Sequence, residues 1–210
     1  MSEDFDIYSD PLVVIQEALF PALRVTSGAI LALATGRSFD KGPVTEALNE
    51  AETMLRTGIA QNFDPVGLTL SENDQARCKA AADIASEMQQ CIEDGERTPD
   101  GIARIEGMMR DRFEPAINEV VNICRTTFIG AIYSHQDKLS QQTEEALGAL
   151  DQISRQINFI AINASIEAAR VGDAGRGFTV ISSEIRSLAQ QAETTTQRLG
   201  EILDRKSHWS

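Results

Sequence analysis

Cysteine is scarce in this 210-residue chain, and Cys78, Cys91 and Cys124 stand far apart with no C-x-x-C pair among them. So sparse and odd a set excludes a disulfide framework and a thiolate zinc site, and it fits reduced, buried thiols. Histidine is scarcer still. His135 and His208 are the whole supply, too few for a histidine metal or haem site, so neither metal nor cofactor is expected. Proline (6 residues) and aromatics (5%) are also low. Ala, Leu, Ile, Glu and Gln recur instead, a balance that favours helix over strand. Positive charge is short as well: 19 basic against 32 acidic residues leave a net charge of −13. That excludes a nucleic-acid binder, which needs concentrated Lys and Arg, and it disfavours anionic membrane surfaces. No apolar run approaches the ~20 residues of a membrane span. The opening, MSEDFDIYSD, is acidic where a signal peptide is basic and then apolar, so a cytoplasmic protein is expected.

What is present is helical periodicity. Leu12, Ile15 and Leu19 open a first helix, with Pro21 and Gly28 as interruptions and Gly36 as its end. Val44, Leu48, Ala51 and Leu55 stripe a second, which has Pro43 in its first turn. NFDPVGLTL reads as a connector. Ser71 with Asp74 resembles a capping box, Asp replacing the usual Glu, and opens a third helix through Ile84, Met88 and Ile92. After the break EDGERTPDG, Ile102, Ile105, Met109 and Phe113 share one face. Pro115 should kink or restart that helix, and Ile117, Val120, Cys124 and Phe128 continue it. The stripe fades in HQDKLSQQTEE.

The last third is the most regular. Ala146, Leu150, Ile153, Ile157, Ile160 and Ala164 alternate spacings of four and three, as do Phe178, Ile181, Ile185, Leu188, Ala192, Thr195, Leu199 and Ile202 after the glycines. That is a heptad seam on both sides of a turn. One antiparallel register pairs Ala164 with Ile181, Ile160 with Ile185 and Ile157 with Leu188, and likewise up to Ala146 with Leu199. Its reversal point falls between Gly172 and Asp173. The return arm ends near Lys206, whose partner is Leu139, so the sequence divides into a helical front module at 1–138 and a hairpin at 139–206 with its tip at 172–177. Charge divides there too, the hairpin carrying a net −2 and the front −11.

The tip itself, GDAGRG, is not a nucleotide loop. Its glycines follow the wrong order for a dinucleotide fingerprint and follow a helix rather than a strand, and no G-K-[ST] closes it as a phosphate loop. Gly172, Asp173, Gly175 and Gly177 read as a chain reversal with a helix C-cap and an acidic residue at the next helix start. Phe159, Ile162 and Ile166 form a second apolar row off the seam, suited either to a sister subunit or to another protein.

The stretch ISRQINFIAINASIEAARVGDAGRGFTVISSEIRSLAQQ, Ile153 to Gln191, resembles the cytoplasmic signalling tip of methyl-accepting chemotaxis proteins. Their core reads N-x-x-A-x-N-A-x-I-E-A-A-R-x-G-x-x-G-R-G-F-x-V-[VI]-x-x-E-[VI]-R-x-L-A, and Asn158 to Ala189 satisfy it throughout. The resemblance implies a helical hairpin that pairs with a second copy into an antiparallel four-helix bundle, with dimers able to assemble into trimers of dimers. It further implies a tip that binds a chemotaxis histidine kinase and its coupling protein. The matched contact positions are Phe159, Ile162, Asn163, Ile166, Glu167, Arg170, Arg176 and Val180. Arg155 stands where enteric receptors carry phenylalanine and many relatives a polar residue, and Ser182 and Ser183 replace small apolar residues.

The expectation is therefore an all-α, cytoplasmic chemoreceptor-like transducer, not an enzyme, whose front module is a sensory bundle. Two alternatives stand beside it. Asp137 and Gln141, one helical turn apart, resemble the D-x-x-x-Q arrangement of chemotaxis phosphatases, in which the amide orients a water. A scaffold that occupies kinase sites without sensing is the other.

Overall fold

The computed structural model describes residues 10–94 and 98–207, except the side chains of 204–207. The acidic opening up to Ser9, part of the EDGERTPDG break and His208 lie outside the described residues. Among the described residues there are seven α-helices and no strand: α1 (Pro11–Ala34), α2 (Gly42–Thr53), α3 (Ile59–Phe63), α4 (Glu72–Glu93), α5 (Pro99–Met108), α6 (Glu114–Val171) and α7 (Arg176–Ser207). The protein is all-α. Its contacts divide into a unit ending at Ile132 and a second beginning at Tyr133.

Helix starts in the first unit follow from single side chains. Asp10 accepts from the Leu12 amide at 2.9 Å with Pro11 in the first turn of α1. Ser71 accepts from the Asp74 amide at 3.2 Å and donates its hydroxyl to the Asp74 carboxylate at 2.6 Å, so the capping pair read from the sequence begins α4. Thr98 accepts from the Gly101 amide at 3.1 Å to begin α5. At the other end of α4, Lys41 donates to the Glu93 carbonyl at 2.8 Å, a cation on an orphan helix-terminal acceptor. Gly36 follows α1 at φ 71, a conformation that other residues adopt only with strain.

The predicted stripes are the core. Ile15, Leu19, Leu48, Met88, Ile105, Phe113 and Ile117 are fully buried in one cluster, joined by Phe63, which ends α3 in the stretch expected to be a connector. Burying each such side chain stabilises the unit by roughly 1.5–3 kcal/mol before conformational entropy is counted.

Three expectations need correction. Pro21 and Gly28 do not interrupt α1, which runs unbroken for 24 residues. Loss of one backbone bond at Pro21 is offset because Ala18, Leu19, Ala22 and Thr26 are buried on the face packed into the unit. Nor is the chain without a long apolar segment, since by length and composition alone α1 is long and apolar enough to cross a membrane. Finally, Pro115 does not break its helix. The irregularity lies one turn earlier, as a π turn at Met109–Phe113 closed by the Glu114 amide on the Met109 carbonyl. The extra residue in that turn accommodates a proline that has no N–H to give and whose ring crowds the preceding carbonyls. A second π turn, Met54–Gly58, joins α2 to α3.

Candidate protein-docking site

The second unit is the hairpin. Its descending arm is the end of α6, its ascending arm is α7, and Gly172–Gly175 form a 3₁₀ turn between them. Gly172 takes φ 72, left-handed backbone at the end of a helix, where glycine carries no Cβ penalty. Gly175 answers a different demand. A Cβ there would collide with the backbone of Ala168, so the two arms touch main chain to main chain at the tip. Gly177 already belongs to α7, and a Cβ there would meet only open space. Asp173 pairs with Arg176 at 2.9 Å across the turn.

Between the arms the buried residues are Ser154, Ala161, Ala168, Gly175, Ser182 and Ala189. Each is seven residues from the next, straight through the turn. Ala161 is 1% exposed and Ser182 2%. Ser165 and Ser182 share a hydroxyl–hydroxyl hydrogen bond of 2.7 Å, and Ser182 also donates to the Thr179 carbonyl. Ser182 is thus a buried polar group with partners on both arms. Arg155 is likewise used: it pairs with Asp151 at 2.9 Å and reaches Glu193 on α7 at 3.7 Å.

This arrangement corrects the predicted pairing. The reversal occurs at the expected glycines, yet the heptad seam does not close within the chain. Leu150, Ile153, Ile160, Ile181 and Leu188 are exposed, Ile160 by 66%. Two helices alone bury only a narrow strip. Small side chains on that strip let the arms approach, and the branched residues beside it are left facing outward. Sequence reading missed the strip because alanine and serine carry little hydrophobic signal; its sevenfold spacing was the available clue.

The candidate contact residues fall on the outside of the hairpin near the tip. Phe159 is 70% exposed, and Asn163, Ile166 and Val180 are also exposed, while Ile162 is half-buried. Phe159, Ile162 and Ile166 share one face of α6 at three- and four-residue steps. Glu167 and Arg170 form an exposed pair at 3.7 Å. Asp137 and Gln141 are both exposed on α6, and the Gln141 amide donates to Glu145 at 3.3 Å. Among the described residues no cluster of His, Cys, Asp or Glu is arranged to hold a metal ion.

An antiparallel helical hairpin with a glycine tip, a close-packed inner strip and an apolar outer row defines a helical signalling module. The family model for the methyl-accepting chemotaxis protein signalling domain matches residues 74–207, and the chain belongs to that family. The match begins in α4, well before the tip motif. Among curated relatives, the chain is 30% identical over 147 residues to the methyl-accepting chemotaxis protein HlyB of Vibrio cholerae, covering 70% of this chain and 24% of that one. It is 35% identical over 97 residues to the biofilm dispersion protein BdlA of Pseudomonas aeruginosa (44% of this chain, 22% of the relative). It is 48% identical over 56 residues to the chemoreceptor McpA of Caulobacter vibrioides (27% and 8%). The aligned parts thus span less than a quarter of these relatives' length. No solved structure matches.

Proposed function

We propose that this chain is a cytoplasmic chemoreceptor-type signal transducer. Residues 139–206 dock a chemotaxis histidine kinase and its coupling protein at the hairpin tip, and residues 1–138 supply a helical sensory bundle. The observation that carries this reading is the outward apolar row of exposed Phe159 and Ile166 with half-buried Ile162 between them, beside the charged residues of the tip. The exposed heptad seam supports a homodimer in which a second hairpin covers Leu150, Ile153, Ile160, Ile181 and Leu188, with trimers of dimers as a higher assembly. The chain works by binding rather than by catalysis. A shift in bundle packing, favoured differently by stimulus and kinase, changes kinase activity.

Retention of purified kinase and coupling protein on the immobilised chain tests the docking. Wild type retains both. Phe159→Ala lowers retention at least tenfold, and equal retention by the two, or none by wild type, rejects the reading.

A further inference from the structure

The first unit holds a cleft of about 530 Å³, a volume typical of small-molecule sites. The π turn and α3 form one wall; the connector and the first turns of α4 form the other. Leu55 and Ile59 on one side and Leu70 and Ala76 on the other form the apolar floor of a lining that also carries Arg56, Glu72, Gln75 and Lys79. The Gln75 side chain donates to the Leu70 carbonyl at 2.9 Å, which fastens the connector to α4.

Two cations line this cleft, and they differ in what they already hold. Arg56 donates to Glu52 and to Asp83, each at 2.8 Å, so it ties the π turn to α4 with its charge offset. Lys79 has no ion-pair partner among the described residues, in a chain whose net charge is −13. Glu72 also lines the cleft, but it precedes Lys79 by seven residues of helix, about 10 Å along the axis. At that separation salt screens most of its repulsion for an anion held at Lys79.

The wall is unusual in its own right. The π turn at Met109–Phe113 is explained by Pro115, whereas no proline accompanies Met54–Gly58. Turns of this kind are costly and concentrate at functional sites.

We propose that this cleft binds a small apolar monocarboxylate, its hydrocarbon body between Ile59 and Ala76 and its carboxylate on the Lys79 ammonium. An amine would meet Lys79 as a like charge. A neutral molecule would leave that ammonium unused, and a dianion would find one unpaired cation for two charges. The assignment names the class of stimulus for the sensory bundle proposed above and rests on that reading for its consequence, though not for the binding itself.

Calorimetric titration of the full chain with phenylbutyrate, octanoate and benzoate tests it, with phenylbutanol and phenylbutylamine as charge controls. Saturable one-to-one binding of at least one carboxylate is expected, the alcohol and amine binding at least tenfold more weakly. Lys79→Gln weakens the carboxylate roughly tenfold or more, as loss of a charge-assisted hydrogen bond does. Ala76→Trp, at an exposed helical position, fills the cleft and abolishes binding while the helical circular dichroism persists. Lack of saturable binding by all three acids, equal binding of acid and alcohol, or indifference to both substitutions overturns the proposal. Binding that leaves reconstituted kinase activity unchanged keeps the cleft and rejects the sensory reading alone.

Discussion

At the residue scale, glycine is required at some tip positions and replaceable at others, and the difference is physical. Gly175→Ala drives a methyl into the Ala168 backbone, so neither arm can keep its place. The expected cost is about 3 kcal/mol or more, in the range of overpacked or strained sites, read as a fall in thermal midpoint. Gly177→Ala meets nothing and sits in α7 without a positive φ. Replacing a helical glycine there should be neutral or stabilising by about 0.5–1 kcal/mol. A tip that tolerates both substitutions equally would contradict the close approach.

The cysteines make a second prediction at this scale. Cys78 and Cys124 are buried, and burial first, with nearby negative charge second, raises their thiols from an ordinary 9.0 to about 11 and about 12. A folded-state value above the unfolded one means the unfolded chain loses its protons first. The stabilisation is therefore complete below about pH 9 and is lost as pH rises toward 11–12. Urea melts at rising pH should show this decline, and Cys78→Ala with Cys124→Ala should flatten it. Thiol reagents at pH 8 should leave both sulfurs unmodified in the native protein.

At the scale of elements, the stripe running along α2 into the π turn was legible because it obeys the simplest rule: Val44, Leu48, Ala51 and Leu55 recur at helical spacing, and all are buried. The cap on α4 was legible for the same reason, as a local pattern with a local consequence. Ser71→Ala removes both of the hydroxyl's bonds and should lower stability by about 1 kcal/mol in chemical denaturation; a change below a few tenths would reject the cap. Pro21 and Pro115 were not legible in this way. Proline weakens a helix by a fixed local amount, and whether the helix survives depends on what its other face buries and whether a π turn absorbs the ring, neither of which is local. The hairpin seam was half legible. Its positions were readable from large side chains, but the strip that joins the arms is built of Ser154, Ala161, Ala168 and their counterparts, whose periodicity is silent in hydrophobicity. The outer row at Phe159 and Ile166 stands out in the sequence, because apolar residues off a seam need a partner of their own.

At the scale of the whole molecule, the exposed seam is what the proposed homodimer would cover. Leu150, Ile153, Ile160, Ile181 and Leu188 all stand exposed in the single chain, and exposed apolar rows of this kind favour a partner. Light scattering on the wild type should give a dimer. Ile160→Lys with Ile181→Lys, placing like charges on the same face, should give a monomer that still shows helical circular dichroism. A wild type that stays monomeric at high concentration would remove the proposed four-helix bundle.

Residues 133–146 of α6 are exposed on every side, with Lys138 the sole Lys or Arg in the stretch. Helix there is sustained by backbone bonding and propensity, without a core to report to. Apart from His135, whose side chain is engaged, the exposed side chains of 133–138 can be exchanged without disturbing a buried neighbour in the single chain. For an engineer, the division of contacts at Ile132 and Tyr133 makes it the natural place to cut the molecule into parts.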